Sequence, residues 1–279
     1  MTRIDRRALF TSGAAAALLA ATGVSLEASP RPGGRLRLAV PKGDGSLEAV
    51  MRGAVFDTLT EIAPDGVLRG ELAARWSGSA DARDWVFDLR EGVRFHDGRE
   101  MDATDVAASL AARDLPVPGG MELVADAPLR LRIRLRKGNP DLPYLLAGPG
   151  MMVTRGGDDG QAMGTGAYRV AQYREDRQFL GHRVETHYRA GRAGWADSVE
   201  AVAIPDAAVR AEALRDGFVD VAVLPLRAGL IGQGDFIYHP SAKDMALAAR
   251  RGVGVPRVVG ARGRLDDGRI AERWWIASA

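Results

Sequence analysis

The side chains that most often bind metals are few and scattered in this sequence. It has no cysteine and four histidines, which are His96, His182, His187 and His239. His182 and His187 are five residues apart, so on one continuous strand they point to opposite faces, whereas two facing ligands need an even spacing. The spacing therefore predicts no metal site. His96 lies directly before an Asp-Gly pair, and we expect its ring to hydrogen-bond within that turn.

Sequence motifs for covalent or acid-base catalysis are also missing. There is no G-x-S-x-G element for a nucleophilic serine, and the lack of cysteine excludes thiol chemistry. The adjacent acids Asp158 and Asp159 lie in a glycine-rich stretch, where two carboxylates are solvated unless something buries them. Gly164 and Gly166 flank Thr165, but no lysine follows and the dinucleotide fingerprint is absent, so we interpret this segment as a structural turn. We expect a protein that is not an enzyme and uses no cofactor.

Composition and charge bear on the class of partner. With 279 residues, 46% of them hydrophobic, the chain is long enough to bury a sizeable core. The formal net charge is +2 and no run of basic residues occurs, so nucleic acid is not indicated as a partner. Four arginines alternate with apolar residues over 130–136. A period of two is typical of an exposed antiparallel strand, so we expect a solvated face there and not an anion-binding groove.

The first 28 residues have the composition of an export signal. Arg6 and Arg7 precede a modestly apolar run from Ala14 to Ala20, and small residues continue to Ala28. A paired arginine before a weakly apolar run predicts a twin-arginine signal, with an ordinary secretory signal as the alternative. The run is shorter than the roughly 20 apolar residues that a membrane-spanning helix needs. Both interpretations predict a periplasmic mature protein from which the signal has been removed.

Alternating and helical patterns over the rest of the chain predict a mixed α/β fold. A strand from Trp85 leads through an Asp-Gly turn into a helix whose N-cap is Asp102 or Thr104. Ser46 is predicted to cap an earlier helix whose apolar positions continue to Ile62. Further strands are predicted at 35–40, 121–125, 129–135, 166–174, 178–184, 198–204 and 219–224, and further helices at 140–147, 206–216 and 241–251.

Three segments carry a resemblance to a known family. Residues 88–98 read Asp-Leu-Arg-Glu-Gly-Val-Arg-Phe-His-Asp-Gly and are followed by the acidic helix start at 102–106. Residues 164–168 read Gly-Thr-Gly-Ala-Tyr, and 204–220 contain the pattern I-P-D-x-x-x-R-x-x-A-L-x-x-G-x-V-D. In sequence and in order the three segments resemble those of the extracellular solute-binding proteins of the peptide/nickel/opine type, the receptors of bacterial ABC importers.

The resemblance implies an architecture and a function. It implies a lobe of a periplasmic-binding-protein-like fold at 29–225 and, because only 54 residues follow Pro225, no second lobe; we expect 226–279 to pack back on the first. It implies that the protein binds a peptide or another small solute without catalysis, and that its partner is an ABC permease in the inner membrane. The alternatives are a one-lobe paralogue that acts as a protein-interaction module without solute and an uncharacterised periplasmic enzyme.

The loop after the first strand is the expected ligand site. Ligands of open α/β folds bind beyond the carboxyl ends of the strands. The polar residues there are Lys42, Asp44 and Ser46. We predict that these three contact the solute, with a role in the turn alone as the alternative.

Overall fold

The structure is a computed structural model that describes residues 30–63, 65–156, 162–225, 236–240, 245–254 and 269–276. The elements described below belong to the unit Arg31–Ala279. The predicted export signal at 1–28 and the acid pair Asp158 and Asp159 lie outside the described residues.

The described elements are short strands interspersed with five helices. In chain order the strands are β1 (Arg35–Val40), β2 (Thr60–Ile62), β3 (Leu68–Gly70), β4 (Ala73–Gly78), β5 (Asp84–Leu89), β6 (Met121–Ala127), β7 (Arg130–Leu135), β8 (Arg155–Gly156), β9 (Ala162–Met163), β10 (Tyr168–Arg174), β11 (Gln178–Arg183), β12 (Ser198–Ala203), β13 (Val221–Pro225), β14 (Phe236–Pro240), β15 (Met245–Arg250), β16 (Val253–Gly254) and β17 (Trp275–Ile276). The helices are α1 (Ser46–Val55), α2 (Ala103–Ala111), α3 (Leu142–Leu145), α4 (Ala207–Arg215) and α5 (Ile270–Arg273).

A seven-stranded mixed sheet forms the larger part of the fold. Its strand order is β10-β11-β12-β1-β13-β15-β14. The central strand β1 runs parallel to β12 and β13, with Leu36 opposite Val199 and Leu38 opposite Val221. The outer pairs are antiparallel. Because three central strands are parallel, their carboxyl ends meet at one edge of the sheet.

The central strand is buried on both faces. Leu36, Leu38 and Val40 pack in one core with α1 and α5, and Ala39 packs in another with α4. Side chains of a strand alternate between faces, so a strand covered by helices on both sides is apolar throughout its inner part. The fully buried Trp274 extends the first core beneath the sheet.

A four-stranded antiparallel sheet, ordered β4-β5-β7-β6, forms the second part of the fold. Its apolar face packs with α2 around a separate core that contains Phe87 and Phe95. On the opposite face of β7, Arg130 pairs with Asp88 at 2.8 Å and Arg132 with Asp126 at 2.6 Å. The alternating arginines are therefore a solvated face with carboxylate partners, as their spacing predicted.

Helix α2 begins at the predicted cap. The backbone N–H of Asp105 donates to the Asp102 side chain at 2.9 Å, and the Asp102 N–H donates to the Asp105 side chain at 3.1 Å. This reciprocal pair satisfies two donors that every helix start leaves free. Helix α4 also has a side-chain cap, since Asp206 accepts from the Ala208 N–H at 2.7 Å.

Three local predictions are wrong. Helix α1 ends at Val55, and the residues predicted to extend it to Ile62 turn into β2. Ser46 does not cap that helix, because Gly45 holds the N-cap position in a left-handed conformation with φ of 79°. The predicted helix at 241–251 is the strand β15 over its described residues, which pairs with both β13 and β14.

Candidate functional site

The predicted ligand loop lies at the edge where the parallel strands end. Lys42 and Asp44 are exposed, whereas Ser46 is buried. The Ser46 backbone N–H donates to the Asp44 carboxylate at 2.9 Å, so Asp44 also fixes the turn that precedes α1. The structure thus joins Asp44 to Ser46 and leaves the Lys42 side chain without an ion pair to any described residue.

Arg210 holds the neighbouring strand ends at this edge. Its guanidinium donates to the carbonyls of Ile204 at 2.6 Å, Pro205 at 2.9 Å and Val223 at 2.8 Å. Burial lowers the pKa of Arg210, and the nearby Asp44 carboxylate partly offsets this effect. A buried guanidinium that satisfies three carbonyls makes the edge rigid, and a rigid edge positions the loop after β1.

The Gly-Thr-Gly segment contacts the histidine of the Phe-His-Asp-Gly turn. The backbone N–H of His96 donates to the Gly164 carbonyl at 3.0 Å, and the ring Nε2 of His96 lies 3.0 Å from the Gly166 carbonyl. The ring therefore bonds outside its own turn, so the predicted hydrogen bond within the turn is wrong. Because a carbonyl can only accept, Nε2 carries the proton. Burial lowers the pKa of His96, which keeps the ring neutral.

The same segment packs against the end of α1. A Cβ atom added to Gly164 would lie 1.9 Å from the Val55 carbonyl oxygen, and one added to Gly166 would lie 2.6 Å from that of Ala54. The glycines are therefore required by close backbone contact. Thr165 between them donates to the buried Asp57 carboxylate at 2.8 Å. The segment is a structural turn, as predicted, and it also positions Asp57.

A second histidine completes a cleft beside these segments. The His187 Nε2 donates to the Thr165 carbonyl at 3.1 Å, while its Nδ1 accepts from the Arg189 N–H at 3.3 Å. His187 and Tyr188 form one wall of a cavity of about 400 Å³. Its lining is polar and largely basic, and includes Arg94, His96, Thr165, Arg169, Arg183, Glu185, His187 and Tyr188. The cleft joins His96 and His187, but among the residues that the structure describes no set of metal ligands is complete there.

Beneath the cleft lies a buried ionic cluster, which consists of Asp57, Glu61, Glu71, Arg189, Arg269, Glu272 and Arg273. Arg269 is its centre, with Nη1 at 3.2 Å from Asp57, 2.5 Å from Glu71 and 3.1 Å from Glu272. Arg189 lies 3.1 Å from both Glu61 and Glu71. Arg273 contacts Glu61 at 2.6 Å.

The proton count of this cluster follows from its geometry. Four carboxyl groups face three guanidinium groups, so neutrality requires one proton. The Thr58 hydroxyl lies 2.6 Å from the Thr60 carbonyl and 2.7 Å from the Glu71 carboxyl. The hydroxyl has one proton and can give it to only one of these oxygens, so a proton on Glu71 allows both contacts to be hydrogen bonds. Burial, only partly offset by Arg269, raises the pKa of Glu71 to about 8.

Glu272 behaves oppositely in the same cluster. Burial alone would raise its pKa, but the guanidinium groups of Arg189, Arg269 and Arg273 together lower it to about 2. Glu272 is therefore ionised while Glu71 holds a proton. Two carboxyl groups in one buried network are thus separated by which guanidinium groups face them.

The cluster does not fit a metal ion. Oxygens of Asp57, Glu71 and Glu272 lie within 4.8 Å of one another, which is a spacing that could hold a cation. Arg269 contacts all three carboxyl groups and already supplies the positive charge. The members of this cluster are up to 216 positions apart, so no local spacing in the sequence predicts it.

Comparison with known proteins places the chain among binding proteins. Residues 67–235, more than half of the chain, match the family described as bacterial extracellular solute-binding proteins, family 5 Middle. Two curated relatives are each described as an HTH-type transcriptional regulator SgrR. The relative from Pectobacterium atrosepticum is 37% identical over 103 residues, which cover 36% of this chain and 18% of the relative. The relative from Escherichia coli K12 is 34% identical over 125 residues, which cover 42% of this chain and 22% of the relative.

Solved structures share the fold. The PBP AgaA in complex with agropinic acid, from A. tumefacien R10, superposes with a TM-score of 0.66 and 21% identity, covering 75% of this chain and 48% of that one. The periplasmic binding protein DppA from Helicobacter pylori, in complex with the peptide STSA, superposes with a TM-score of 0.65 and 21% identity, covering 76% of this chain and 51% of that one. The chain thus spans about half the length of these structures. None of its described helices is long and apolar enough to cross a membrane.

Proposed function

Because the chain belongs to family 5 of the bacterial extracellular solute-binding proteins, we propose that it is the solute-binding component of an ABC importer. In this role it binds a peptide or a related small solute without making or breaking a bond. An ABC permease of the inner membrane is its partner. The protein works in the periplasm after export through the signal in residues 1–28.

The observation that carries this proposal is the edge formed by β1, β12 and β13. Lys42 and Asp44 are exposed there and carry opposite charges, which suits a zwitterionic solute such as a peptide. The lysine would pair with a carboxylate and the aspartate with an amine. Ser46 supports the site from below, since its N–H holds Asp44.

The proposed domain division is a lobe at 29–225 with a segment at 226–279 that packs back on it. Two contacts support it. Strand β15 pairs with β13 of the large sheet, and Trp274 is buried in the same core as Leu38.

A second candidate is a protein-interaction module that carries no solute. The observation that favours it is the similarity over 103 and 125 residues to chains described as transcriptional regulators. In such a module the same lobe would contact another protein in place of a solute.

The two candidates are separated by native purification of the exported protein. Mass spectrometry of small molecules released on denaturation is expected to show one compound in proportion to the protein. A solute-free protein that no oligopeptide, opine or nickel chelate stabilises against heat, and that copurifies with another protein, would contradict solute binding and favour the second candidate.

A further inference from the structure

We infer that the recess formed by Asp57, Glu61 and Glu71 is a guanidinium-binding site, which the chain's own Arg269 fills. The site lies beneath the cleft and is distinct from the loop proposed to bind solute. Its ligand class is an alkylguanidinium cation, as on an arginine side chain. The contacts of the recess, the geometry of Arg269 and an unpartnered hydroxyl support this inference.

The recess is assembled by residues that precede the segment carrying Arg269. Thr58 contacts Glu71 through both its N–H at 2.8 Å and its hydroxyl at 2.7 Å. Thr165 donates to Asp57, and Arg189 bridges Glu61 and Glu71. These contacts fix the carboxyl groups in place without help from residues 269–276. The recess is therefore preorganised, which lowers the cost of binding a cation.

The recess lacks positive charge until residues 269–276 supply it. Three carboxyl groups, those of Asp57, Glu61 and Glu71, face a single guanidinium group, that of Arg189. Asp57 and Glu71 have side chains that are 1% and 0% exposed, so water does not screen them. A cation bound in the recess gives the buried carboxyl groups direct contacts in place of the hydration that they lose on burial.

The shape of the site favours a planar guanidinium group over an ammonium group or a metal ion. Arg269 Nη1 lies 2.5 Å from Glu71 Oε1, and Nη2 lies 2.5 Å from Glu71 Oε2. Two parallel contacts of this kind match a guanidinium, whereas an ammonium group or a metal ion offers no such plane. The same guanidinium group makes a third contact, from Nη1 to Asp57 at 3.2 Å.

An unpartnered hydroxyl points to the same place. The Tyr188 hydroxyl is enclosed and makes no hydrogen bond with any residue that the structure describes. Burial and the negative charges of Asp57 and Glu71 raise its pKa well above the usual value. It remains a donor at neutral pH. A buried donor without a partner costs free energy, which a ligand or water in the recess would recover.

A cavity lies beside the Arg269 side chain. A small cavity of about 30 Å³, with room for a water molecule, is lined by Thr58, Glu61, Arg269 and Arg273. Removal of the Arg269 side chain would extend this cavity into the recess. A small cation can then enter without unfolding the lobe.

The test uses the full chain with Arg269→Ala and follows the thermal unfolding midpoint, Tm. Ethylguanidinium, ethylammonium and Mg²⁺ are compared at equal ionic strength, and each shift is expressed relative to the same addition to the unsubstituted protein. The variant is expected to lose several degrees of Tm and to regain a clear part of the loss with ethylguanidinium alone. Arg35→Ala, which removes the arginine of a half-exposed pair with Glu200, is the matched control and should show no such recovery.

Equal shifts with all three cations, or an unchanged Tm in Arg269→Ala, would overturn the inference. If that variant is obtained only unfolded, its refolding yield is compared with the same cations, and an advantage for ethylguanidinium is again required; equal yields contradict the site. Arg269→Lys keeps the positive charge but loses the planar two-nitrogen contact with Glu71, so the variant should have a lower Tm than the unsubstituted protein. A lysine variant with the Tm of the unsubstituted protein would show that charge alone suffices.

Discussion

Arg269 and Glu71, 198 residues apart in the chain, meet in a two-point contact in which both nitrogen-to-oxygen distances are 2.5 Å. This pair joins the helix α5 segment to the loop between β3 and β4. Around it, Glu71 holds a proton and Glu272 is ionised.

The two buried glutamates should give opposite pH dependence of stability. The pKa of Glu71 is raised from 4.5 to about 8, so its contribution is present below 4.5 and is lost as the pH rises through 8. Glu71→Gln should therefore flatten the decline of the free energy of unfolding between these values, by an amount on the order of 1–3 kcal/mol. Urea unfolding across the pH range measures it.

Glu272→Gln is the matched comparison in the same cluster. The pKa of Glu272 is lowered from 4.5 to about 2, so its contribution is present above 4.5 and is lost as the pH falls towards 2. This variant should lower stability at neutral pH and flatten only the acid side of the profile. If the two glutamine variants change the same side of the profile, the assignment of the proton to Glu71 is wrong.

Gly164 should tolerate no side chain. The Cβ of Gly164→Ala would meet the Val55 carbonyl at 1.9 Å, and backbone atoms cannot move aside as a flexible side chain does. We expect a loss of about 1–3 kcal/mol or more in the free energy of unfolding. Gly150→Ala, which has no atom within 4 Å of the added Cβ, is the control and should be nearly neutral. Similar losses in both variants would show that the close contact with α1 is not the reason that Gly164 tolerates no side chain.

The cap of α2 should contribute measurably to stability. Asp102→Ala removes the side-chain acceptor for the Asp105 N–H and leaves the bond from the Asp102 backbone N–H to the Asp105 side chain, and we expect a loss of about 1 kcal/mol. Asp141 occupies the N-cap position of α3 but makes no side-chain cap hydrogen bond. Asp141→Ala should therefore cost much less in the same chemical-denaturation experiment. An equal cost would mean that the cap contact at Asp102 contributes nothing specific.

His96 should titrate below its usual pKa of 6.5, because burial disfavours the charged ring. Its neutral form binds the Gly166 carbonyl, so the stability that it contributes is present above 6.5 and is lost as the pH falls through the lowered value. Two-dimensional NMR of the imidazole can follow this titration. A value at or above 6.5 would contradict the buried, neutral ring.

Local sequence patterns predicted the elements that local contacts determine. The Asp102 cap, the hairpins and the strand-helix-strand unit around α4 depend on neighbours within a few residues, and they were correct. Helix α1 was predicted too long because Leu59 and Ile62 keep the helical spacing, although the intervening Thr60 is in β2. At β15 an alanine-rich sequence forms a strand because β13 and β14 pair with it, and pairing outweighs intrinsic propensity.

The site was less predictable than the fold. The loop after β1 follows from a general rule for α/β sheets, and the structure finds Lys42 and Asp44 exposed there. The ionic cluster depends on pairs far apart in the chain, such as Arg189 with Glu61. One signal was present in the sequence, since Asp57 and Glu61 interrupt an apolar stretch at 54–63, where an acid needs a buried partner.

Solute binding at the loop after β1 can be measured by isothermal titration calorimetry with the compound released from natively purified protein. We expect saturable binding that Lys42→Ala and Asp44→Asn each weaken about tenfold or more, equivalent to about 1.4 kcal/mol. Asp44→Asn keeps the acceptor for the Ser46 N–H and removes only the charge. The exposed control variants Lys137→Ala and Asp114→Ala should bind as the unsubstituted protein does. Binding that is unchanged in the loop variants, or no binding heat at all, would show that this loop does not bind the solute.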